Sequence, residues 1–402
     1  MTTRNRISEF DLESIKDEPW LTNKQRDLVQ ALLKNNYHVK MTGIEMGINP
    51  RTVQRRVKVL KKKILKMQVD DYIPEGMIAT GTSTYYSVDE ETGEKKEKGQ
   101  WIKTKRSEQD ELEAIKYVTK KLAKKVDGIA EPKKIPEYTE DGMLVVYVTT
   151  DMHLGEYAWK EETGKDVNTE SVYNNTLGAA TLLNKTTPMA KTAIVLDLGD
   201  TLHASNDANR TKSGHELDVD TRHAKVFKML VDLKIKMIDM ALEKHEEVRY
   251  VIVPGNHSDL IGHYLVAMLS AYYRNEPRFS VDESAAMHKY YKFGKTLLGF
   301  HHGHATKLQR LPEVMVWDRK EDISDTDYRY WLTGHVHKEK FIDNPIASME
   351  SFRNLTPNDA WAQGSGYRGI KQAVAITYSD KYGEIARNTV SIQEVMDSIN
   401  NG

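Results

Sequence analysis

The chain has 402 residues, 39% of them hydrophobic and 29% charged, with a formal net charge of −1 and no cysteine. That length allows two or three domains, and the balance is ordinary for a soluble globular protein. Disulfides and thiolate metal sites are excluded, as is a membrane span, because no run of about 18 apolar residues is present. The opening MTTRNRISEFDLESIKDEPW also lacks the apolar stretch of a secretory signal, so a cytoplasmic protein is expected.

Residues 21–66 read as helices. Leu28, Leu32 and Leu33 form a first apolar stripe that ends near Lys34-Asn35-Asn36, and a short second helix over Val39–Met46 runs into the turn Gly47-Ile48-Asn49-Pro50. Pro50 suits the first turn of a third helix, where its missing N–H costs nothing. That helix is expected to bury Val53, Val57, Leu60 and Ile64. It turns outward Arg51, Arg55, Arg56, Lys58, Lys61, Lys62, Lys63 and Lys66, with no acid among them. The stretch GINPRTVQRRVKVL resembles the helix-turn-helix modules of transcriptional regulators, which implies a DNA-binding role. A small helical bundle with a solvated lysine face is the other reading of the same residues.

Residues 70–141 connect this region to the rest. GTSTYYSV, the charged DEETGEKKEKG and QWIKTK read as a hairpin, Glu108–Lys125 as an amphipathic helix, and Glu131–Pro136 as a linker. From Leu144 the texture changes to apolar runs alternating with helical stretches. Strands are expected at Leu144–Thr149, Ala193–Leu198, Val248–Val253, Thr296–Phe300 and Tyr330–Leu332. A long helix at Val219–Leu242 is expected to bury Val226, Leu230, Leu233, Met237 and Met240. A closing hairpin pairs Ala373–Tyr378 with Glu384–Ser391. Alternating strands and helices predict a layered α/β domain.

Each of the five strands ends in polar residues: Asp151-Met152-His153, Gly199-Asp200, Gly255-Asn256-His257, His301-His302-Gly303-His304 and Gly334-His335-Val336-His337. Ligands gather at the carboxyl ends of strands in open α/β sheets, so these termini converge. All but His38 of the 14 histidines lie between His153 and His337. A solvated surface would not confine one residue type in this way, whereas a metal site would, since imidazole is the commonest metal ligand.

The order DxH, GD, GNH, HG and GHxH across residues 143–340 resembles the calcineurin-like metallophosphoesterases. The resemblance implies an α/β fold of layered β-sheets flanked by helices over residues 142–402. Before it would come a connecting segment at 69–141 and a small all-α helix-turn-helix domain at 1–68. It implies two divalent metal ions, manganese first, with iron or zinc as alternatives. A phosphodiester is anionic and repels hydroxide, so paired cations must screen it and acidify a water. Mixed nitrogen and oxygen ligands suit these metals better than magnesium. By the same resemblance Asp151, His153, Asp200 and His337 hold one ion. Asp200, Asn256, His302 and His335 hold the other, Asp200 bridges, and His257 is the general acid.

Several residues are left with two readings. His302 is taken as the ligand because it directly precedes Gly303, while His301 and His304 either approach substrate or lie on the strand's other face. Ser258 follows His257 where relatives carry an acid, which leaves open whether Asp259 orients His257. His203 is expected beside the ligands rather than among them. Asn206, Asn209 and Arg210, and Trp361, Tyr367 and Arg368, either line a substrate groove or are ordinary loop residues.

DMHLG resembles the DxHLG opening of the DNA-repair exonuclease branch, and the whole arrangement resembles phage-encoded members labelled in that way. The expectation is a metal-dependent DNA nuclease, exonuclease or endonuclease, located in the host cytoplasm if phage-encoded. A small-nucleotide or cyclic-nucleotide phosphodiesterase or phosphatase is one alternative. A DNA-binding regulator with a silent phosphoesterase domain is another, and the complete ligand set speaks against it.

Overall fold

A capping box at Thr22 and Gln25 starts the first helix: the Gln25 amide donates to the Thr22 hydroxyl and the Thr22 amide to the Gln25 side chain. The computed structural model describes residues 12, 16, 21–70, 77–88, 95–106, 126–204, 209, 216–257, 261–366 and 368–400; the side chains of 61–106 and of Trp361 lie outside that description. The chain divides into two units, residues 1–114 and 115–402. No helix among the described residues is long and apolar enough to cross a membrane.

In the smaller unit, α1 (Asn23–Lys34), α2 (Val39–Glu45) and α3 (Pro50–Asp70) bury Leu28, Leu32, Val39, Val53, Val57 and Leu60 against one another. The turn between α2 and α3 is tight. Gly47 takes φ 64°, the Ile48 amide donates to the Gly43 carbonyl at 2.9 Å, and the Arg51 amide donates to the Asn49 side chain at 2.9 Å. Arg51, Arg55 and Lys58 stand exposed on α3 with Arg56 half-buried, while the expected burial of Ile64 falls outside the described side chains. Strands β1 (Met77–Val88) and β2 (Lys95–Arg106) pair antiparallel as the expected hairpin. The helix expected at Glu108–Lys125 lies outside the described residues.

The larger unit is a sandwich of two sheets with helices on its outer faces, the layered α/β architecture expected. Its elements are β3 (Glu140–Thr149), α4 (Thr169–Thr186), β4 (Ala190–Asp197), α5 (His223–Lys244), β5 (Glu247–Ile252), α6 (Ile261–Tyr272), β6 (Phe279–Val281), β7 (Lys289–Phe293), β8 (Thr296–His301), α7 (Leu311–Asp318), β9 (Tyr328–Thr333), β10 (Lys340–Ile342), β11 (Ser348–Ser351), β12 (Gln372–Ser379), β13 (Gly383–Ser391) and α8 (Ile392–Asn400). One sheet runs β13-β12-β3-β4-β5-β6, with β3 to β6 parallel; the other runs β10-β11-β9-β8-β7, with β8, β9 and β11 parallel.

Alternation along β3 shows how the sequence builds two cores at once. Leu144, Val146 and Val148 face the second sheet and meet Leu298, Phe300, Leu332 and Ile376. Val145 and Tyr147 face the helices and meet Val172, Leu183, Leu233 and Met237. A strand buried on both faces reads as a continuous apolar run, which is why β3, β4 and β5 are recognisable without a period-two signal. On the outer face of the second sheet, Leu297, Trp331 and Met349 pack on Leu311 and Met315 of α7.

Helix α5 departs from its expected face in one respect. Met240 is only half-buried, whereas Lys234 is fully buried. Its Nζ stands 2.7 Å from Oδ2 of Asp197, itself 1% exposed, and the Tyr250 hydroxyl donates to the same oxygen at 3.3 Å. The pair ties α5 to the end of β4, immediately before Asp200.

Candidate metal centre

Asp151 and His153 follow β3, Asp200 follows β4, Asn256 and His257 follow β5, His302 follows β8, and His335 and His337 follow β9. Parallel order in both sheets puts all these carboxyl ends at one edge of the sandwich. Among the described residues eight non-glycine positions have positive φ, and five are Asp151, His153, Asp200, His335 and His337, between 45° and 73°. Such conformations are costly for residues with a Cβ and persist where surrounding structure enforces them, which is typical of functional sites.

The motif glycines have a steric reason. A Cβ on Gly255 would run into the amide and carboxylate of Asp200, and one on Gly334 would stand 2.6 Å from the Asp151 carboxylate and strike the Thr150 hydroxyl. Both aspartates are buried at about 1% exposure or less, so nothing can move aside. Backbone amides then fix the carboxylates. The His335 amide donates to Asp151 Oδ2 at 2.8 Å, the His257 amide to Asp200 Oδ1 at 2.7 Å, and the Thr150 hydroxyl donates to Asp151.

Three groups of ligand-type atoms result among the described residues, Asp151 with His153 and His337, Asp200 with His302 and His335, and His153 with His203 and His257; within each, the ligand atoms lie within 4.8 Å of one another. In the first, His337 Nε2 is 3.2 Å from Asp151 Oδ1 and 3.2 Å from His153 Nε2. In the second, His302 Nε2 is 3.0 Å from Asp200 Oδ2 and 3.1 Å from Asn256 Oδ1. Asp151 Oδ1 also stands 4.0 Å from His302 Nε2, so the two groups adjoin.

The chemistry of these donors fits divalent cations. His302 donates its Nδ1–H to the Leu198 carbonyl at 2.6 Å, which fixes the ring and turns Nε2 toward Asp200 and Asn256. Burial opposes a proton there, yet Asp200 and Asp151 lift His302 to about 9, so this point in the site favours a cation. His153 is held well below the ordinary histidine range by burial and by His257, His337 and His203, which keeps it a neutral imidazole. Asp151 is held well below the carboxylate range: burial works the other way, and His337, His302 and His153 outweigh it. Paired nitrogens such as Nε2 of His153 and His337 cannot both carry a proton toward each other; a shared cation would satisfy both.

His257 lies against this centre, its ring 4.8 Å from that of His153. Its Nδ1 donates to the His203 backbone carbonyl at 2.8 Å. Ser258 and Asp259 lie outside the described residues. The His203 ring stacks on His257 at 5.9 Å, and its Nδ1 is 3.9 Å from Glu156 Oε2. His301 is buried on the outer face of its sheet, stacked on His288 at 4.7 Å and accepting from the Gly303 amide, whereas His304 stands 5.3 Å from the His302 ring. Asn209 is half-buried, Arg368 donates to the Gln363 carbonyl, and Asn206, Arg210, Tyr367 and the Trp361 side chain lie outside the description.

Sequence reading missed the supports. Asn354 donates to the Asp151 carbonyl at 3.4 Å and Thr356 to the Met152 carbonyl at 2.6 Å, contacts between residues some two hundred positions apart that no local pattern signals. Glu156, buried at 4% and pushed well up by burial and Asp359, had one signal, an acid in the turn directly after His153.

No family model matches this chain. No curated protein matches it either. Among solved structures it is similar to a conserved Streptococcus pneumoniae protein described as a predicted phosphoesterase, at 10% identity over 63% of this chain and 99% of that one, TM-score 0.26. It is similar to the Entamoeba histolytica Vps29 complexed with zinc, at 12% identity over 62% and 99%, TM-score 0.26. An archaeal phosphodiesterase matches at 12% identity over 61% and 99%, TM-score 0.32. Likeness at this level carries no weight for activity, and the functional reading rests on the residues above.

Proposed function

We propose that this chain is a two-metal phosphodiesterase and that its substrate is DNA. The observation that carries the first part is the meeting of Asp151–His153–His337 with Asp200–His302–His335, two ligand groups joined across 4.0 Å. Two divalent cations held there, with Asn256 completing the second set, would screen the anionic ester and supply an activated water. The chain's own residues do the rest. Backbone amides hold both carboxylates in place, the Leu198 carbonyl fixes His302, and the His203 carbonyl keeps the Nδ1 proton of His257 occupied. Nε2 of His257 is then the atom that gives a proton to the leaving oxygen.

The DNA reading is supported by the run of residues 51–66, which is basic and holds no acid, and by the exposure of Arg51, Arg55 and Lys58 on α3 after a tight turn. Exposed arginines and lysines on a helix are the means by which a protein holds phosphates, and such binding weakens steeply with salt. Replacement of Arg55 and Arg56 by alanine is expected to flatten the salt dependence of DNA affinity by about 0.9 logarithmic units for each phosphate no longer neutralised. A second reading, hydrolysis of small or cyclic nucleotides, is favoured by one observation: every ligand comes from the larger unit.

The experiment is hydrolysis by metal-stripped protein resupplied with manganese. Linear and circular DNA, single- and double-stranded, are offered beside bis(p-nitrophenyl) phosphate and cyclic nucleotides. Cleavage of DNA supports the nuclease, and the circular substrates separate internal cutting from end-dependence. Turnover of the small esters alone would move the assignment to the nucleotide phosphodiesterase, and turnover of none would refute both.

A further inference from the structure

Beside the two ligand groups that contain carboxylates lies one made of imidazoles alone. His153, His203 and His257 each bring a ring nitrogen within 4.8 Å of the others. The His153 ring stands 4.8 Å from that of His257 and 5.5 Å from that of His203, and the latter two are 5.9 Å apart. The three come from the loops after β3, β4 and β5, neighbouring parallel strands whose carboxyl ends lie together.

His203 and His257 are backed by oxygen in the manner of metal ligands. His257 gives Nδ1 to the His203 backbone carbonyl at 2.8 Å, and His203 turns Nδ1 toward the Glu156 carboxylate, whose Oε2 is 3.9 Å away. In both rings Nε2 is the nitrogen on the side away from that oxygen, as it is in His302, whose Nδ1 meets the Leu198 carbonyl. An oxygen behind one nitrogen is the usual support of a metal-binding imidazole. Buried polar atoms are also left over at this place. Nδ1 of His153, Nδ1 of His203 and Oε1 of Glu156 make no hydrogen bond among the described residues. Such atoms are costly, and a cation or water is the ordinary reason for them. His153 has a nitrogen for each of two adjoining groups, since it is Nε2 that stands 3.2 Å from His337 Nε2. Its N–H proton passes to water when a cation binds at the second nitrogen.

We propose that His153, His203 and His257 form a third cation site, of zinc type, and that an ion there inhibits by occupying Nε2 of His257. Imidazole donors suit zinc, whereas manganese favours sites with carboxylate oxygens, so the two metals are told apart by this group. The proposal rests on the two-metal phosphodiesterase reading, in which Nε2 of His257 protonates the leaving oxygen, and adds a regulation of it. A nitrogen bound to a cation has no proton to give.

The test titrates metal-stripped protein with manganese and, separately, with zinc, and counts the ions bound per chain. Two manganese and three zinc are expected. His203→Phe keeps a ring against His257 and keeps the backbone carbonyl but offers no nitrogen, and it should bind two of either ion. Its manganese count reports that the centre is intact. Glu156→Gln should weaken the third zinc by about 10- to 100-fold. Hydrolysis is followed on diphenyl phosphate, whose leaving group needs a proton, and on bis(p-nitrophenyl) phosphate, whose leaving group needs little help. The ratio of the first rate to the second should be about 10²- to 10⁴-fold lower with zinc than with manganese in the wild type, and similar with both metals in His203→Phe. Two zinc in the wild type, a third zinc retained by His203→Phe, or one unweakened in Glu156→Gln would overturn the site. A ratio that zinc leaves unchanged in the wild type would overturn inhibition through His257. Three zinc bound by a protein that hydrolyses neither ester with either metal would instead overturn the phosphodiesterase reading.

Discussion

Lys234→Met should unfold the larger unit at markedly lower denaturant than the wild type. The ammonium and the Asp197 carboxylate are 2.7 Å apart with both side chains at 1% exposure or less. At an effective dielectric constant of about 20 their attraction is ~6 kcal/mol, offset in the native protein by the desolvation of both ions. Removing the lysine abolishes the attraction but leaves the cost of burying Asp197, whose Oδ1 has no hydrogen-bond partner among the described residues and whose Oδ2 keeps the Tyr250 hydroxyl. The expected loss is about 3–5 kcal/mol. Adding Asp197→Asn removes the stranded charge, so the double variant should lose less than the single one, with a coupling of about 2 kcal/mol or more. Urea unfolding measures the total, and hydrogen exchange of the β4 amides reports this unit separately from the smaller one. A single-variant loss below about 1 kcal/mol, or strict additivity, would show that no buried ion pair of this kind holds α5 to β4.

Other predictions concern the site and its surroundings. His257→Asn should keep its metal ions but lose about 10²–10⁴ in turnover of natural esters, and much less on p-nitrophenyl esters, whose leaving group needs little protonation; equal losses would count against a general acid. Gly334→Ala should displace the Asp151 carboxylate, costing about 1–3 kcal/mol of stability by overpacking and about 100-fold in activity by misplacement; wild-type metal affinity in that variant would contradict the steric role of Gly334. His245 is buried, donates Nδ1–H to the Ala190 carbonyl at 2.6 Å and accepts from the Tyr147 hydroxyl at 2.9 Å. Burial lowers it from 6.5 to about 4, against the opposing Ala190 hydrogen bond. The unfolded chain therefore binds a proton that the native one refuses, and stability is full above pH 6.5 and falls as pH drops toward 4. The loss amounts to about 3 kcal/mol. His245→Asn should remove this one-proton dependence from urea unfolding at pH 5, and an unchanged pH slope would show that His245 is not its source.

The gathering of the candidate ligands was legible in the sequence, as was the α/β layering around them. Asp151, Asp200, His302 and His335 announce themselves because each ends a short apolar run, and the buried strands β3, β4, β5, β8 and β9 supply those runs. Strands β6, β7, β10 and β11 went unread for the opposite reason: they are short or lie toward the sheet margins, and β7 and β10 mix lysine with aromatic residues. Lys234 sits on the apolar stripe of α5, four residues after Leu230, and nothing local tells a lysine bound for a buried carboxylate from one that reaches back to water. Asn354 and Thr356 hold the first loop from the far end of the chain, a relation that only the folded structure supplies. The His203 backbone carbonyl that His257 donates to is a partner that no residue pattern encodes.

Whether two cations work in one site built around Asp151 and Asp200 is tested most directly by titrating manganese into the stripped protein. Bound metal and hydrolysis of bis(p-nitrophenyl) phosphate are followed together, in the wild type and in Asp200→Asn. Two ions per chain are expected, with activity that rises as both are bound, and with metal and activity lost together in the variant. Full hydrolysis by the metal-free protein, or by Asp200→Asn, would contradict a two-metal site.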